Sequence, residues 1–208
     1  GYSSAASDVY KRQFKSPLYK IILSTYFDLF KSTWIAAATD SNISIELHNL
    51  EENNLTSIKA HEVDLDTIFN NLLTNAFYSI KEKKDKVNRR LDIKCVVEDD
   101  LVHIIFQDTG LGLAEEYKHN PEEIFNSFES SKKDRLGKQI GTGLGLYIVK
   151  SIISEYNNSA IRIVRDMILS ASLRRKGLSF RRGTAMNDNQ RDGTHGATYN
   201  FVLRSSLR

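Results

Sequence analysis

Three short stretches, in a set order, constrain this chain more than anything else in it. They are Asn71-Leu-Leu-Thr-Asn75-Ala76, Asp108-Thr-Gly110-Leu-Gly112 and Gly141-Thr-Gly143-Leu-Gly145-Leu146. Asn71 and Asn75 are four residues apart, so on a helix they share one side, one turn from each other. Asp108 closes an apolar alternating run, and Gly141 to Gly145 leads into an amphipathic one. Each stretch has a plain reading when taken alone: two exposed helix amides, a turn after a strand, a glycine-rich loop. Their order and spacing, within about one domain length, are what ask for a joint explanation.

That explanation is a nucleotide pocket. The amide oxygens of Asn71 and Asn75 can both point at one hard cation. Mg²⁺ takes oxygen ligands and usually keeps waters and substrate phosphates as the rest of its shell. A carboxylate at Asp108 can accept a hydrogen bond from the exocyclic amine of adenine, and Gly110 and Gly112 let the backbone pass close to a planar base. Gly141, Thr142, Gly143, Leu144 and Gly145 stand where a helix begins, and unpaired N–H groups there suit phosphate. The loop is not a Walker loop, since no Lys-Ser/Thr follows it directly. It is not a dinucleotide fingerprint either, since no strand immediately precedes it.

Periodicity supplies the frame. Pro17 suits a first helical turn, and Leu18, Ile21, Ile22, Tyr26, Leu29, Phe30 and Ile35 recur at helical spacing behind it. Ile43-Ser-Ile45-Glu-Leu47 alternates like a strand. Asp64 can cap the next helix, whose apolar face is Leu65, Ile68, Leu72, Leu73, Ala76 and Ile80. Leu91 to Val97 and Leu101 to Phe106 read as a hairpin turning at Asp99-Asp100. Residues 113–140 are polar and irregular with Phe125 and Phe128 as an anchor, which reads as a flexible lid. Leu144 to Tyr156 forms a second amphipathic helix, and Ile161 to Val164 and Ala197 to Leu203 the last two strands. The expected fold is an α/β (α+β) two-layer sandwich, with helices on one face of a mixed, mostly antiparallel sheet.

The 208 residues suit one sizeable domain with appendages. Residues 1–13 have no clear periodicity and read as a leader foreign to the fold, leaving 14–208 as the domain. No apolar run is long enough to cross a membrane and no signal-peptide pattern opens the chain, which fits a cytoplasmic setting. Cys95 is the single cysteine, so no internal disulfide can form, and its apolar run suggests a buried, inert thiol. The net charge of +3 hides an asymmetry: residues 162–208 carry ten Lys/Arg and three Asp/Glu, hence +7, leaving −4 elsewhere. Such a tail can bind nucleic acid or anionic lipid, or be a solvated loop. Few aromatics interleave its arginines, which favours the loop.

The three stretches, with Ile124-Phe-Asn-Ser-Phe128-Glu-Ser-Ser-Lys132-Lys133 in the lid, resemble the ATP-binding catalytic domain of sensor histidine kinases. That domain belongs to a larger group with gyrase, the Hsp90-type chaperones and the mismatch-repair ATPases. The resemblance runs from about Pro17 to Arg204, interrupted by a basic insertion at about 165–195. It implies Mg²⁺ at Asn71 and Asn75, adenine at Asp108, and Lys133 and Lys138 reaching the outer phosphates. In hydrolytic members of the group a Glu stands where this chain has Asn71, and an amide cannot serve as a general base for water. The implied reaction is therefore transfer of the γ-phosphoryl group of ATP to a histidine. Neutral imidazole, with an ordinary pKa of about 6.5, already offers a lone pair.

The implied partners are a histidine phosphoacceptor and dimerisation domain, a response-regulator receiver domain downstream, and a membrane anchor only through other parts of a parent protein. Phe14-Lys-Ser-Pro17-Leu18 resembles the end of the acceptor box, but register puts its histidine at Arg12. His48, His61, His103, His119 and His195 lack the box, so the acceptor is expected on a domain outside this chain. The family's His-Gly-Gly after the last helix reads Tyr156-Asn157-Asn158 here, and Asn can hold the left-handed cap. Two other readings stay open. One is a protein-serine kinase of the anti-sigma type on the same fold; the other is a catalytically silent nucleotide-binding module with a nucleic-acid-binding tail.

Overall fold

A computed structural model describes residues 17–50, 56–84, 86–98, 101–117, 119–130, 132, 141–156, 160–163 and 197–204. The leader 1–13, the Asp99-Asp100 turn, Lys133, Lys138, Asn157, Asn158 and the insertion at 165–195 lie outside the described residues.

The element order is β1 (Tyr19–Ile22), α1 (Leu23–Asp40), β2 (Ser44–His48), β3 (Ser57–Ala60), α2 (Glu62–Glu82), β4 (Arg90–Glu98), β5 (Leu101–Asp108), two 3₁₀ turns (Glu115–Tyr117 and Pro121–Phe125), α3 (Gly145–Ser154), β6 (Ala160–Ile163) and β7 (Thr198–Arg204). Five strands form one sheet in the order β2-β4-β5-β7-β6. Only β2 and β4 run parallel; β4–β5, β5–β7 and β6–β7 are antiparallel. Helices pack on one face of this sheet, as the alternation in the sequence asked.

Period-two alternation places the functional end of β5. Val102, Ile104 and Phe106 are buried, and their register partners Val97, Cys95 and Ile93 share that face. Asp108 continues the same alternation, so its carboxyl emerges on the helix side of the sheet rather than in solvent. The core beneath α1 and α2 is aromatic: Phe69 packs against Phe27 with ring centroids 4.9 Å apart, and against Tyr26, Phe30 and Phe106 at 6.0 to 6.2 Å. These offset and edge-on pairs suit aromatic quadrupoles. Cys95 is buried, as expected, and burial pushes its thiol pKa up to about 12. On the opposite face of the sheet, Asp92 is also buried. It accepts from Arg90 Nε at 2.8 Å and lies 2.6 Å from His48 Nε2.

Four expectations need correction. Residues 19–22 are a strand, not the first turns of a helix. β1 pairs antiparallel with β3, Tyr19 opposite Ala60 and Ile22 opposite Ser57, in a separate two-stranded sheet. Helix α1 therefore starts at Leu23, and its buried stripe is Leu23, Tyr26, Phe27, Phe30 and Ala38, while Leu29 and Ile35 are exposed. β3 itself has no visible signal in four residues, because only its partner makes it a strand. Asp64 is not the cap of α2: His61 holds that position without a side-chain cap, and Asp64 lies in the first turn. Finally, Phe125 is a buried anchor of the lid, but Phe128 is 71 % exposed.

Asp64 does something else. Its Oδ2 accepts from the Tyr156 hydroxyl at 2.6 Å, and that hydroxyl accepts from the His61 backbone N–H at 3.1 Å. Tyr156 thus ties the chain just after α3 to the start of α2. Replacing Tyr156 with Phe removes a hydrogen bond to a carboxylate, worth about 1–2 kcal/mol at a half-buried site. The expected result is a melting temperature lower by a few degrees, read by calorimetry. An unchanged melting temperature would show that water substitutes for the tie.

Candidate functional site

One cleft of about 300 Å³ gathers all three sequence stretches and the first stem of the lid. That size is at the lower end of the range for small-molecule sites. Its floor is α2. The stripe Asn71, Asn75 and Ser79 follows the i, i+4, i+8 rule beside the buried face of Leu72, Leu73, Ala76 and Ile80. Asp108 and Tyr199 close one end, and Gly141 to Gly145 with Lys132 the other.

At the first end, Asp108 is 3 % exposed and its Oδ1 accepts from Gly110 N at 2.8 Å. Burial pushes the carboxyl up to about 7, while the Gly110 and Ala197 backbone and the nearby Lys83 ammonium pull the other way. Lys83 is held by a bond from Nζ to Thr109 O at 3.2 Å. Gly112 takes a positive φ of 75° beside the cleft. The buried Tyr199 hydroxyl is held neutral, by burial first and then by the Asp108 charge. Ser79 was not foreseen. Its Oγ accepts from Leu111 N at 2.8 Å and so fixes the loop after Asp108 onto α2. The signal that could have found it is its spacing, four residues beyond Asn75.

The middle of the cleft carries the asparagines. Asn71 Nδ2 donates to Thr67 O in its own helix at 2.7 Å, which leaves Oδ1 as the atom turned outward. That oxygen faces the start of α3 so closely that a Cβ at Gly145 would come within 2.7 Å of it. Asn75 Oδ1 accepts from Lys132 Nζ at 2.6 Å. Both asparagines thus present oxygens along one helix face, and one of those oxygens already holds a cation. Neutral hard oxygens beside a glycine-rich loop fit Mg²⁺ as a partial ligand set. Among the described residues no group of three or more His, Cys, Asp or Glu could hold a metal by itself.

At the glycine-rich end, α3 starts after Leu144 with no side-chain cap, and Leu144 N reaches Thr142 Oγ1 at 3.4 Å. An uncapped helix start leaves N–H donors for an anion. Gly143 has φ of 67° and its carbonyl accepts from Phe128 N at 3.0 Å. The Phe128 bond stitches the two stems of the lid together. Phe128 shares the left-handed φ of 67°, which is rare for an aromatic residue. Glu129 Oε2 accepts from the Tyr117 hydroxyl at 2.6 Å, holding the same stem from below. Lys132 is the described lysine in the cleft. Sequence reading preferred its neighbour Lys133, because nothing local separates two adjacent lysines. Partial burial lowers the Lys132 pKa, and its ammonium also lies 5.2 Å from the Tyr78 ring centroid.

Comparison with known proteins bears on the family and the fold. A family model described as "Histidine kinase-, DNA gyrase B-, and HSP90-like ATPase" matches residues 60–204. A probable C4-dicarboxylate sensor kinase of Bacillus subtilis is 31 % identical over 115 residues, covering 54 % of this chain and 20 % of that protein. The histidine protein kinase SaeS of Staphylococcus aureus is 29 % identical over 139 residues, 64 % of this chain and 37 % of that protein. The chain thus spans between a fifth and two fifths of the length of these two curated relatives. Among solved structures, the nucleotide-free catalytic domain of the histidine kinase ThkA superposes with a TM-score of 0.63 at 17 % identity, over 91 % of this chain and 98 % of that one. Full-length ShkA in complex with AMPPNP superposes with a TM-score of 0.60 at 18 % identity, over 92 % of this chain and 32 % of that one. At these identities the solved structures speak for the fold.

Proposed function

Since this chain belongs to the histidine kinase-, DNA gyrase B- and HSP90-like ATPase family, we propose that it is the catalytic part of a sensor histidine kinase, binding Mg·ATP and passing its γ-phosphoryl group to a histidine on a separate phosphoacceptor domain. One observation carries the reading. The position that would have to activate water is Asn71, whose amide is tied to Thr67 O and cannot take a proton. The cleft is built to hold a triphosphate without a base to hydrolyse it.

The geometry supports the following roles. Asp108 accepts from the adenine amine, and the stripe of α2 underlies the nucleotide. Asn71 and Asn75 would hold Mg²⁺ through their amide oxygens, and the ion would supply charge neutralisation for the phosphates. Gly141, Thr142, Gly143, Leu144 and Gly145 leave room for phosphate and turn backbone N–H groups towards it, with Lys132 beside them. Lys133 and Lys138 are further candidates for the outer phosphates. In the transfer, the imidazole nitrogen attacks the γ-phosphorus, the bond to the bridging oxygen breaks, ADP leaves, and the imidazole proton is released to solvent. Positioning and charge stabilisation then supply most of the acceleration. A response-regulator receiver domain would take the phosphoryl group next. Among the described residues no helix is long and apolar enough to cross a membrane, so any anchor would belong to other parts of a parent protein.

Incubation with γ-labelled ATP, Mg²⁺ and a separately supplied helical-hairpin domain bearing an acceptor histidine tests this. Label on that domain that is lost in acid and kept in alkali is expected, with little phosphate released by the chain alone. Acid-stable label would point to serine. Rapid Mg-dependent hydrolysis without an acceptor would overturn the kinase reading.

A further inference from the structure

The lysine already on Asn75 has a consequence of its own. Asn75 Oδ1 accepts one described bond, from Lys132 Nζ at 2.6 Å, and the two residues are 57 apart in sequence. The ammonium also sits over Tyr78, one turn further along α2. Lys132 lies on the first stem of the lid, and the Ser130 hydroxyl accepts from its backbone N–H at 3.3 Å. The second stem touches the same place: a Cβ at Gly141 would meet Ser130 Oγ at 2.2 Å and Lys132 Cβ at 3.3 Å. A charge-assisted bond therefore connects the described parts of both stems to the helix that would hold the metal. An amide oxygen that accepts an ammonium and an amide oxygen that ligates a divalent ion use the same lone-pair side, and two cations so close together repel.

We infer that Lys132 is a latch that competes with a divalent ion for the oxygen of Asn75 and is displaced when Mg·nucleotide binds, so that the bond responds to the metal and the outer phosphates rather than to adenine. The inference rests on the Mg·ATP reading above. The displaced ammonium finds its new partner in the phosphates, which restores its charge balance. A ligand with the adenine end alone leaves the bond in place. Lys132 in this role is a positioning residue: it sets when Asn75 becomes available.

The side-chain amide resonance of Asn75 reads the latch directly. It is followed by ¹⁵N NMR in the full chain and in Lys132→Met, with no ligand, with saturating AMP, and with a non-hydrolysable ATP analogue plus Mg²⁺. The backbone spectrum away from the cleft checks that both proteins are folded alike. The expected pattern is a clear difference between the two proteins without ligand, the same difference with AMP, and its loss with Mg·analogue. Coincident Asn75 signals without ligand would overturn the latch, as would a difference that survives Mg·analogue or vanishes with AMP. If neither AMP nor Mg·analogue shifts any cleft resonance, the nucleotide-site reading fails instead, and the displacement of the latch by nucleotide falls with it.

Discussion

Asp108→Asn is expected to weaken binding of a non-hydrolysable ATP analogue about 100-fold, from the loss of roughly 2–3 kcal/mol of buried, charge-assisted bonding. The reason is the number of donors already waiting. Asp108 Oδ1 takes the Gly110 N–H at 2.8 Å, and the Ala197 backbone also stabilises the carboxylate. A carboxylate has acceptor capacity left for an adenine amine. An amide has one oxygen and one NH₂, so either a backbone donor or the base meets another donor.

The same residue sets two pH dependences of opposite sign. Burial raises the Asp108 pKa from 3.8 to about 7, so between those values the folded protein holds a proton that the unfolded chain has released. Its contribution to stability is fully present below the ordinary carboxylate pKa and is lost as pH rises through about 7. The melting temperature of the unmutated chain, relative to Asp108→Asn, should therefore fall as pH rises from about 4 to about 7 and level off above that. Nucleotide affinity should rise between pH 6 and pH 8, around the folded pKa of about 7, because the ionised form is the one that accepts from adenine. Binding below pH 7 should accordingly release protons, visible as an enthalpy that depends on the buffer's ionisation heat. Equal affinity in the variant, or tighter binding at pH 6 than at pH 8, would remove Asp108 from the base-binding role.

Gly143→Ala attacks the other end of the cleft. At φ of 67° an L-residue with a Cβ is strained, and that Cβ would lie 2.3 Å from Phe128 C and 2.6 Å from both Phe128 Cα and Glu129 N. These are backbone atoms of a stem held by the Phe128 N to Gly143 O bond and by Tyr117 on Glu129, so they cannot simply rotate away. Left-handed strain and overpacking together amount to about 2 kcal/mol or more, which the lid relieves by parting its stems. Affinity for the Mg·ATP analogue should fall about 30-fold, while affinity for AMP, held chiefly at the Asp108 end, should change little. Calorimetric titration of both ligands separates the two ends. Parallel losses for AMP and the triphosphate would mean that the stitch supports the whole cleft.

Much of this was readable before any coordinates, and the parts that were share a cause. Alternation in Leu101 to Asp108 specifies which side each residue faces, so it brings Asp108 to the helix side of the sheet once the strand is paired. The i, i+4 spacing of Asn71 and Asn75 needs only a helix to align them. The glycines of 141–145 announce a tight approach wherever they sit. By contrast, Tyr19–Ile22 carries apolar residues at a spacing that a helix also satisfies, and only pairing with Ser57–Ala60 decides for a strand. Asp64 looks like a cap by residue type, yet the hydroxyl of Tyr156, 92 residues away, engages it inside the helix.

What the sequence determined by itself is the order and local geometry of the elements that line the candidate site, because glycine positions and the periods of two and 3.6 are properties of the backbone over a few residues. What only the tertiary structure decided is who meets whom: Lys132 on Asn75, Ser79 under Leu111, Phe128 turned outward, and an Asp108 carboxyl raised towards neutrality. Each of these depends on groups brought together from distant parts of the chain, and on the desolvation that follows, and neither is written in any short stretch of residues.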